Sequence, residues 1–338
     1  MLTNNKDKQL SSAEVAALWM TYTNNSLLLC TFRYFLAINE DRDIQAILED
    51  GLKVFSERIV LMTNFFNEAN LPVPDGFTDQ DVNVNAPRLF TDNFVLYYLA
   101  QMAKAGAGLY STYLPLVSRP DIVDFFVKCI SRALDYSKWV TSLKLSKGIF
   151  VKPPMLEMPK TISYVKNKDF LAGLLKGERR SLHIREITLL FSNIQTNTLG
   201  KVMVTGFGQA AESEQVKEYM NQGKKIASKH IEIFSGILKK DNISASAPHW
   251  NDIVVTDSTV APFSDKLMMA IIMYANQGGM EFYGAGLALD IRHDIVAKFI
   301  RLVTEVRKYA VDGIEIMIKN GWLEQPPQAV IPSALTKT

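Results

Sequence analysis

The 338-residue sequence predicts an all-α protein: two tandem four-helix bundles made by internal duplication. Three observations predict it. The chain repeats itself in one register, each repeat carries apolar stripes at helical spacing, and no stretch shows the sustained alternation of a strand.

The repeat comes first. Displaced by 172 positions, Glu14 falls on Glu186, Leu18 on Leu190, Asn25 on Asn197, Phe35 on Phe207 and Gly51 on Gly223. One extra residue near His249 makes the offset 173, after which Asp92 falls on Asp265, Gly106 on Gly279 and Tyr110 on Tyr283. Arg119-Pro120-Asp121-Ile122-Val123 then falls on Arg292-His293-Asp294-Ile295-Val296, and Pro153-Pro154 on Pro326-Pro327. A period this long marks a duplicated domain, since solenoid units recur every 20 to 50 residues or so. The expected organisation is a first bundle over 8–160, a linker over 161–182 and a second bundle over 183–332.

Each element has its own signal. Ser11-x-x-Glu14 is a capping box, and Val15, Leu18, Trp19, Tyr22, Leu29, Phe32 and Leu36 form the stripe that follows it. A second stripe runs from Ile44 through Phe55 to Phe66, a third from Phe90 to about Leu116, and a fourth from Pro120 to about Leu145. Pro120 suits a first helical turn, Gly148 a helix end, and Pro153-Pro154 forbids continuation. The second repeat places helices at about 183–209, 213–241, 263–288 and 292–320. Short links predict two antiparallel hairpins per repeat. The Pro- and Asn-rich stretch from Asn70 to Leu89 predicts a long crossover between the second and third helices, as in ferritin-like bundles.

Composition narrows the function classes. Apolar residues make up 48% and charged residues 21%, and the formal net charge is +2, which argues against nucleic-acid binding driven by bulk charge. Cys30 and Cys129 are the two cysteines, too few for a disulfide scaffold or a Cys-rich metal site. Their counterparts Val202 and Leu302 are apolar, which favours buried thiols over a nucleophile. Met1 to Leu10 lacks the apolar run of a signal peptide, and the uncharged stretches Ala105–Ser118 and Leu267–Met280 are too short to span a bilayer. The expected location is the cytoplasm.

A di-metal site in a ferritin-like bundle needs Glu on two helices and Glu-x-x-His on the other two. That pattern is absent. The histidines, His183, His230, His249 and His293, all lie in the second repeat, and none follows a Glu by three residues. Asp290-x-x-His293 has the spacing but falls in a loop. Glu186, His230 and Glu281 form the one conceivable constellation, and it is weak. Gly206-Phe207-Gly208 and Gly284-Ala285-Gly286 read as helix ends, not phosphate loops. The basic run Lys176-Gly177-Glu178-Arg179-Arg180 reads as a solvated connector, and Trp19, Trp139, Trp250 and Trp322 as core or loop anchors. Gly106 and Gly279 sit within the third helix of each repeat, one turn before a tyrosine. Close helix packing is the first reading of these glycines and a small-ligand notch the second. No catalytic, cofactor-binding or metal residue is assigned.

The paired Gly-x-x-x-x-Pro-Pro endings (Gly148 to Pro154, Gly321 to Pro327), the third-helix glycine and tyrosine, and the Pro-rich crossover resemble a family from endospore-forming bacteria. Its members carry two ferritin-like domains related to spore coat protein F. The resemblance covers about residues 8 to 332, implies the all-α fold and an association with sporulation or the spore coat, and brings no activity and no site residues. The expected function is a non-enzymatic structural or interaction protein, with a protein partner or homo-oligomer, no nucleic acid and no cofactor. A metal-binding or redox role in the second bundle is one alternative. A helical binder of an apolar ligand, using the Gly106 and Gly279 notches, is the other.

Overall fold

The computed structural model describes residues 9–157, 159–171, 180–244, 253–289 and 292–328. The described chain is all-helical, and its only β pairing is isolated bridges. The first repeat supplies α1 (Ser12–Ile38), α2 (Arg42–Glu68), α3 (Asp92–Tyr113) and α4 (Pro120–Ser146). The second supplies α5 (Ile184–Ala210), α6 (Glu214–Lys239), α7 (Asp265–Leu289) and α8 (His293–Lys319). These spans follow the sequence periodicity closely, and the structure is two tandem helical bundles.

Local chemistry sets the ends. Ser11 Oγ accepts from the Glu14 N–H at 3.2 Å, and Glu14 Oε2 accepts from the Ser11 N–H at 2.8 Å, closing the predicted capping box. At the same place in the second repeat, His183 Nδ1 replaces the hydroxyl, accepting from the Glu186 N–H at 3.3 Å. Asp41 Oδ1 caps α2 by accepting from the N–H groups of Asp43 and Ile44. Helices α4 and α8 end in matching Schellman turns. Gly148 and Gly321 take φ of +69° and +68°, and the following N–H groups return five residues, Ile149 to Lys144 O and Trp322 to Met317 O. That left-handed backbone explains why both repeats write glycine there.

Successive helices pair as four hairpins, α1 with α2, α3 with α4, α5 with α6 and α7 with α8. The long connection between α2 and α3 is present as expected. It meets its counterpart from the second repeat. Val82 bridges Phe263 and Phe90 bridges Val255, both antiparallel. Val255 is the repeat equivalent of Val82, and Phe263 of Phe90, so one bridge becomes the other when the repeats are exchanged. The hydrogen bonds obey the same exchange: Asn83 N–H to Pro262 O at 2.8 Å, and Thr256 N–H to Leu89 O at 3.0 Å. The two repeats are therefore related by a local two-fold axis through their crossovers.

Packing follows this axis. The outer end of each repeat has its own core, Leu18, Phe66 and Phe126 in the first, Leu190, Phe234 and Phe299 in the second. Between them lies a core shared by both. Phe90 stacks on Phe94 at 4.1 Å and meets Phe207 edge-on at 5.9 Å, while Phe35 meets Phe263 at 6.4 Å. All five rings are buried. Burying one Phe contributes about 2–3 kcal/mol, so this cluster is a major source of cohesion between the repeats.

Three sequence expectations need correction here. Trp139 lies exposed on α4 and anchors nothing, although Trp19 is core and Trp322 packs on the shared core. Arg180 is no solvated connector residue: its guanidinium grips Glu186 with two hydrogen bonds of 2.7 and 2.8 Å. This buried carboxylate at a helix start is balanced by a cation, which the end of the connector supplies. The Gly106 and Gly279 packing reading fails in the second repeat, as set out below. His249, Trp250, Asp290 and 176–179 lie outside the described residues.

Candidate functional site

A cavity of about 210 Å³ lies where the two repeats meet, and all eight helices contribute to its wall. The wall repeats as the chain does. Leu27 has its counterpart in Leu199, Gly106 in Gly279, Tyr110 in Tyr283 and Tyr136 in Tyr309, and all of these line it. The paired glycines that stood out in the sequence therefore face one shared space.

A side chain at Gly279, or at Gly278 beside it, would meet nothing within 4 Å. Close packing does not explain these glycines. At Gly106, the nearest atoms to an added Cβ would be the Tyr110 ring at 3.3 Å and Ala133 at 3.8 Å. Tight glycine packing occurs elsewhere. A Cβ on Gly223 would stand 2.3 Å from Tyr309 Oη, and one on Gly313 2.3 Å from Tyr219 Oη. Those tyrosines stack at 4.2 Å, and each hydroxyl donates to the other residue's carbonyl at 3.2 Å. Of this pair, Tyr309 lines the cavity.

The largely apolar wall also carries Asn24, Gln101, Asn276, Gln277 and Glu281, and two polar stations on it sit at equivalent places in the repeats. In the second repeat, Asn197 Nδ2 donates to Tyr283 Oη at 2.8 Å, and Tyr283 Oη lies 2.7 Å from His230 Nδ1. His230 Nε2 lies 3.1 Å from Glu305 Oε2, and Lys229 Nζ donates to the same carboxylate at 2.7 Å. Burial lowers the His230 pKa against the opposing pull of Glu305. The neighbours then fix one neutral tautomer: Nε2–H donates to Glu305, and Nδ1 accepts from the Tyr283 hydroxyl. Burial likewise raises the pKa of Tyr283, so the hydroxyl keeps its proton.

In the first repeat the place of His230 is taken by Arg58. Its Nη1 donates to Tyr110 Oη at 3.4 Å, and its guanidinium lies 5.8 Å from the Phe55 ring and 5.5 Å from the Tyr110 ring. Among the described residues no carboxylate forms an ion pair with Arg58. The nearby Asp50 is engaged by Arg132 and Tyr136 instead. The two stations thus differ in charge: a permanent cation at one, a neutral imidazole behind the tyrosine at the other.

The metal constellation weighed from sequence is not assembled. Glu186 is held by Arg180 and His183 at the start of α5, His230 by Tyr283 and Glu305, and Glu281 is exposed at the cavity wall. Among the described residues no group of three or more His, Cys, Asp or Glu is placed to hold a metal ion. Cys30 and Cys129 are buried, and burial pushes both thiols up to about 11, which suits inert core positions. Sequence reasoning missed Arg58. The signal was available as the position where the aligned repeats exchange arginine for histidine.

Among the described residues no helix is long and apolar enough to cross a membrane. No curated protein matches the chain. Among solved structures, it is similar to a candidate spore coat protein of Bacillus halodurans C-125, with a TM-score of 0.41 and 18% identity. That similarity covers 46% of this chain and 100% of the other. The family model described as "Protein of unknown function (DUF3231)" matches residues 1–162 and again 171–335. With nearly all of the sequence taken up by these two matches, the chain belongs to that family and carries its unit twice.

Proposed function

We propose that this protein is a non-enzymatic binding protein that holds a small apolar or amphipathic molecule between its two repeats. The observation that carries this reading is the 210 Å³ cavity, walled by apolar side chains and by glycines that leave space unfilled. Well-packed interiors carry few voids larger than a water molecule. An apolar engineered cavity of about 150 Å³ stays dry and takes up benzene, so a larger one is a ready receptor.

The test is direct. Full-length protein is purified without detergent, extracted with organic solvent, and the extract analysed by mass spectrometry; a neutral solvatochromic dye is titrated in parallel. Binding is expected for the native protein. Gly279→Leu, which fills open space, is expected to weaken dye binding about tenfold or more while leaving the protein folded. Absence of both co-purified ligand and dye binding would overturn the reading.

The bundle units 8–160 and 183–332, the connector 161–182 and the ferritin-like kinship belong to the same proposal. The long crossover in each repeat supports that kinship. The place of action we propose is the spore, supported by the resemblance of the paired glycine-proline endings. A fluorescent fusion imaged through sporulation tests it, with a diffuse vegetative signal as the contrary result.

A further inference from the structure

We infer that the cavity takes an aliphatic carboxylate, oriented with its acid group at Arg58 and its tail toward Tyr283; this rests on the binding role proposed above. Of the two tyrosine stations only the first carries a cation on the wall, and Glu281, the carboxylate on the wall, is exposed. Arg58 presents five N–H donors in a fork. One of them reaches Tyr110 Oη, at 3.4 Å, and among the described residues no carboxylate neutralises the group. Arg58 is half-buried at the apolar wall, where an entering oxyanion would meet its fork of donors. The fork matches a carboxylate in a two-bond geometry that a hydroxyl cannot reproduce.

The opposite station cannot compete for an anion. There the imidazole is neutral and lies behind Tyr283, and the Glu305 charge is already balanced by Lys229 at 2.7 Å. A carboxylate placed there would face Glu305, and the further cation near His230, Arg301, is exposed on α8. The apolar stretch between the stations, including Leu27 and Leu199, suits a hydrocarbon tail. Scaled against a benzene-binding cavity of about 150 Å³, the space admits a chain of about eight carbons.

Calorimetric titration of the full-length protein with octanoate and with octanol, at a pH where the acid is ionised, tests the assignment. Native protein is expected to bind octanoate at least about tenfold more tightly than octanol, the difference of one charge-assisted hydrogen-bonding pair. Arg58→Gln is expected to abolish that preference while octanol binding persists, which also shows that the variant is folded. Arg58→Lys is expected to keep part of it. Equal binding of acid and alcohol by native protein, or a preference that survives Arg58→Gln, would overturn the role of Arg58 and leave the cavity reading intact. Failure of both ligands to bind native protein would overturn both.

Discussion

Arg58 and His230 occupy one position in the two repeats, and each engages the equivalent tyrosine: Nη1 to Tyr110 Oη at 3.4 Å, Nδ1 to Tyr283 Oη at 2.7 Å. His230 is the member of the pair that can respond to acid near neutral pH. Burial lowers the His230 pKa below its ordinary 6.5, and His183 is lowered in the same direction, again chiefly by burial. As pH falls through 6.5, the unfolded chain binds protons that the folded chain does not, so stability declines. Denaturant midpoints measured between pH 8 and 5 should fall toward acid. His230→Gln should reduce that slope, and adding His183→Asn, which keeps a capping residue, should reduce it further. An unchanged slope in both variants would contradict the assignment.

Glu14 should give a second, lower acid limb. Burial raises its pKa, but N–H donors from Ser11, Arg119 and Ser118 outweigh this and bring it down to about 2. Its Oε1 accepts from Ser118 N–H at 3.0 Å and Arg119 N–H at 2.8 Å, so one carboxylate caps α1 and also ties down the start of α4. A depressed carboxylate stabilises above its ordinary pKa near 4.5, and that contribution is lost as pH falls from there toward 2. Glu14→Gln should lower stability by about 2 kcal/mol at neutral pH and flatten this limb, read from thermal unfolding across pH.

Glycine substitutions should split by sign. At Gly279 a methyl group enters open space within a helix, so Gly279→Ala should stabilise by about 0.5–1 kcal/mol. At Gly223 the same methyl would meet Tyr309 Oη at 2.3 Å, and at Gly51 the Phe32 ring at 2.4 Å, so both alanine variants should destabilise by about 1–3 kcal/mol. Chemical denaturation of the three variants checks the contrast.

The junction between repeats should behave as one unit. Phe90→Ala and Phe207→Ala each remove a buried ring, at about 3–5 kcal/mol apiece. Their rings touch at 5.9 Å, so the double variant should lose less than the sum. A strictly additive cycle would mean that the two repeats are energetically separate.

The helices were legible because each rests on local signals: the Ser11–Glu14 box, the Pro120 start, the Gly148 and Gly321 stops, and an apolar period of three to four. The duplication was legible for the same reason, as a register. The junction was not. Val82 with Phe263, and Phe90 with Val255, are contacts between distant segments, and no period in the sequence encodes which segments meet. Only half of the site was therefore visible. Gly106, Gly279 and the two tyrosines stood out as repeated residues, but whether they faced a void or a neighbouring helix depended on how the repeats dock. Arg58 drew no attention because an arginine on an amphipathic helix ordinarily belongs to a solvated face.

The exchange symmetry of the crossover bridges carries one more consequence. Surfaces that pair with themselves across a two-fold are those of an isologous dimer, in which each subunit presents the same residue to the common centre. Two separate copies of one gene product would have to furnish that centre with two arginines or two histidines, never one of each. Joining the copies in a single polypeptide gives each end its own codon. Duplication within one polypeptide thus lets the two equivalent positions differ, as Arg58 and His230 do.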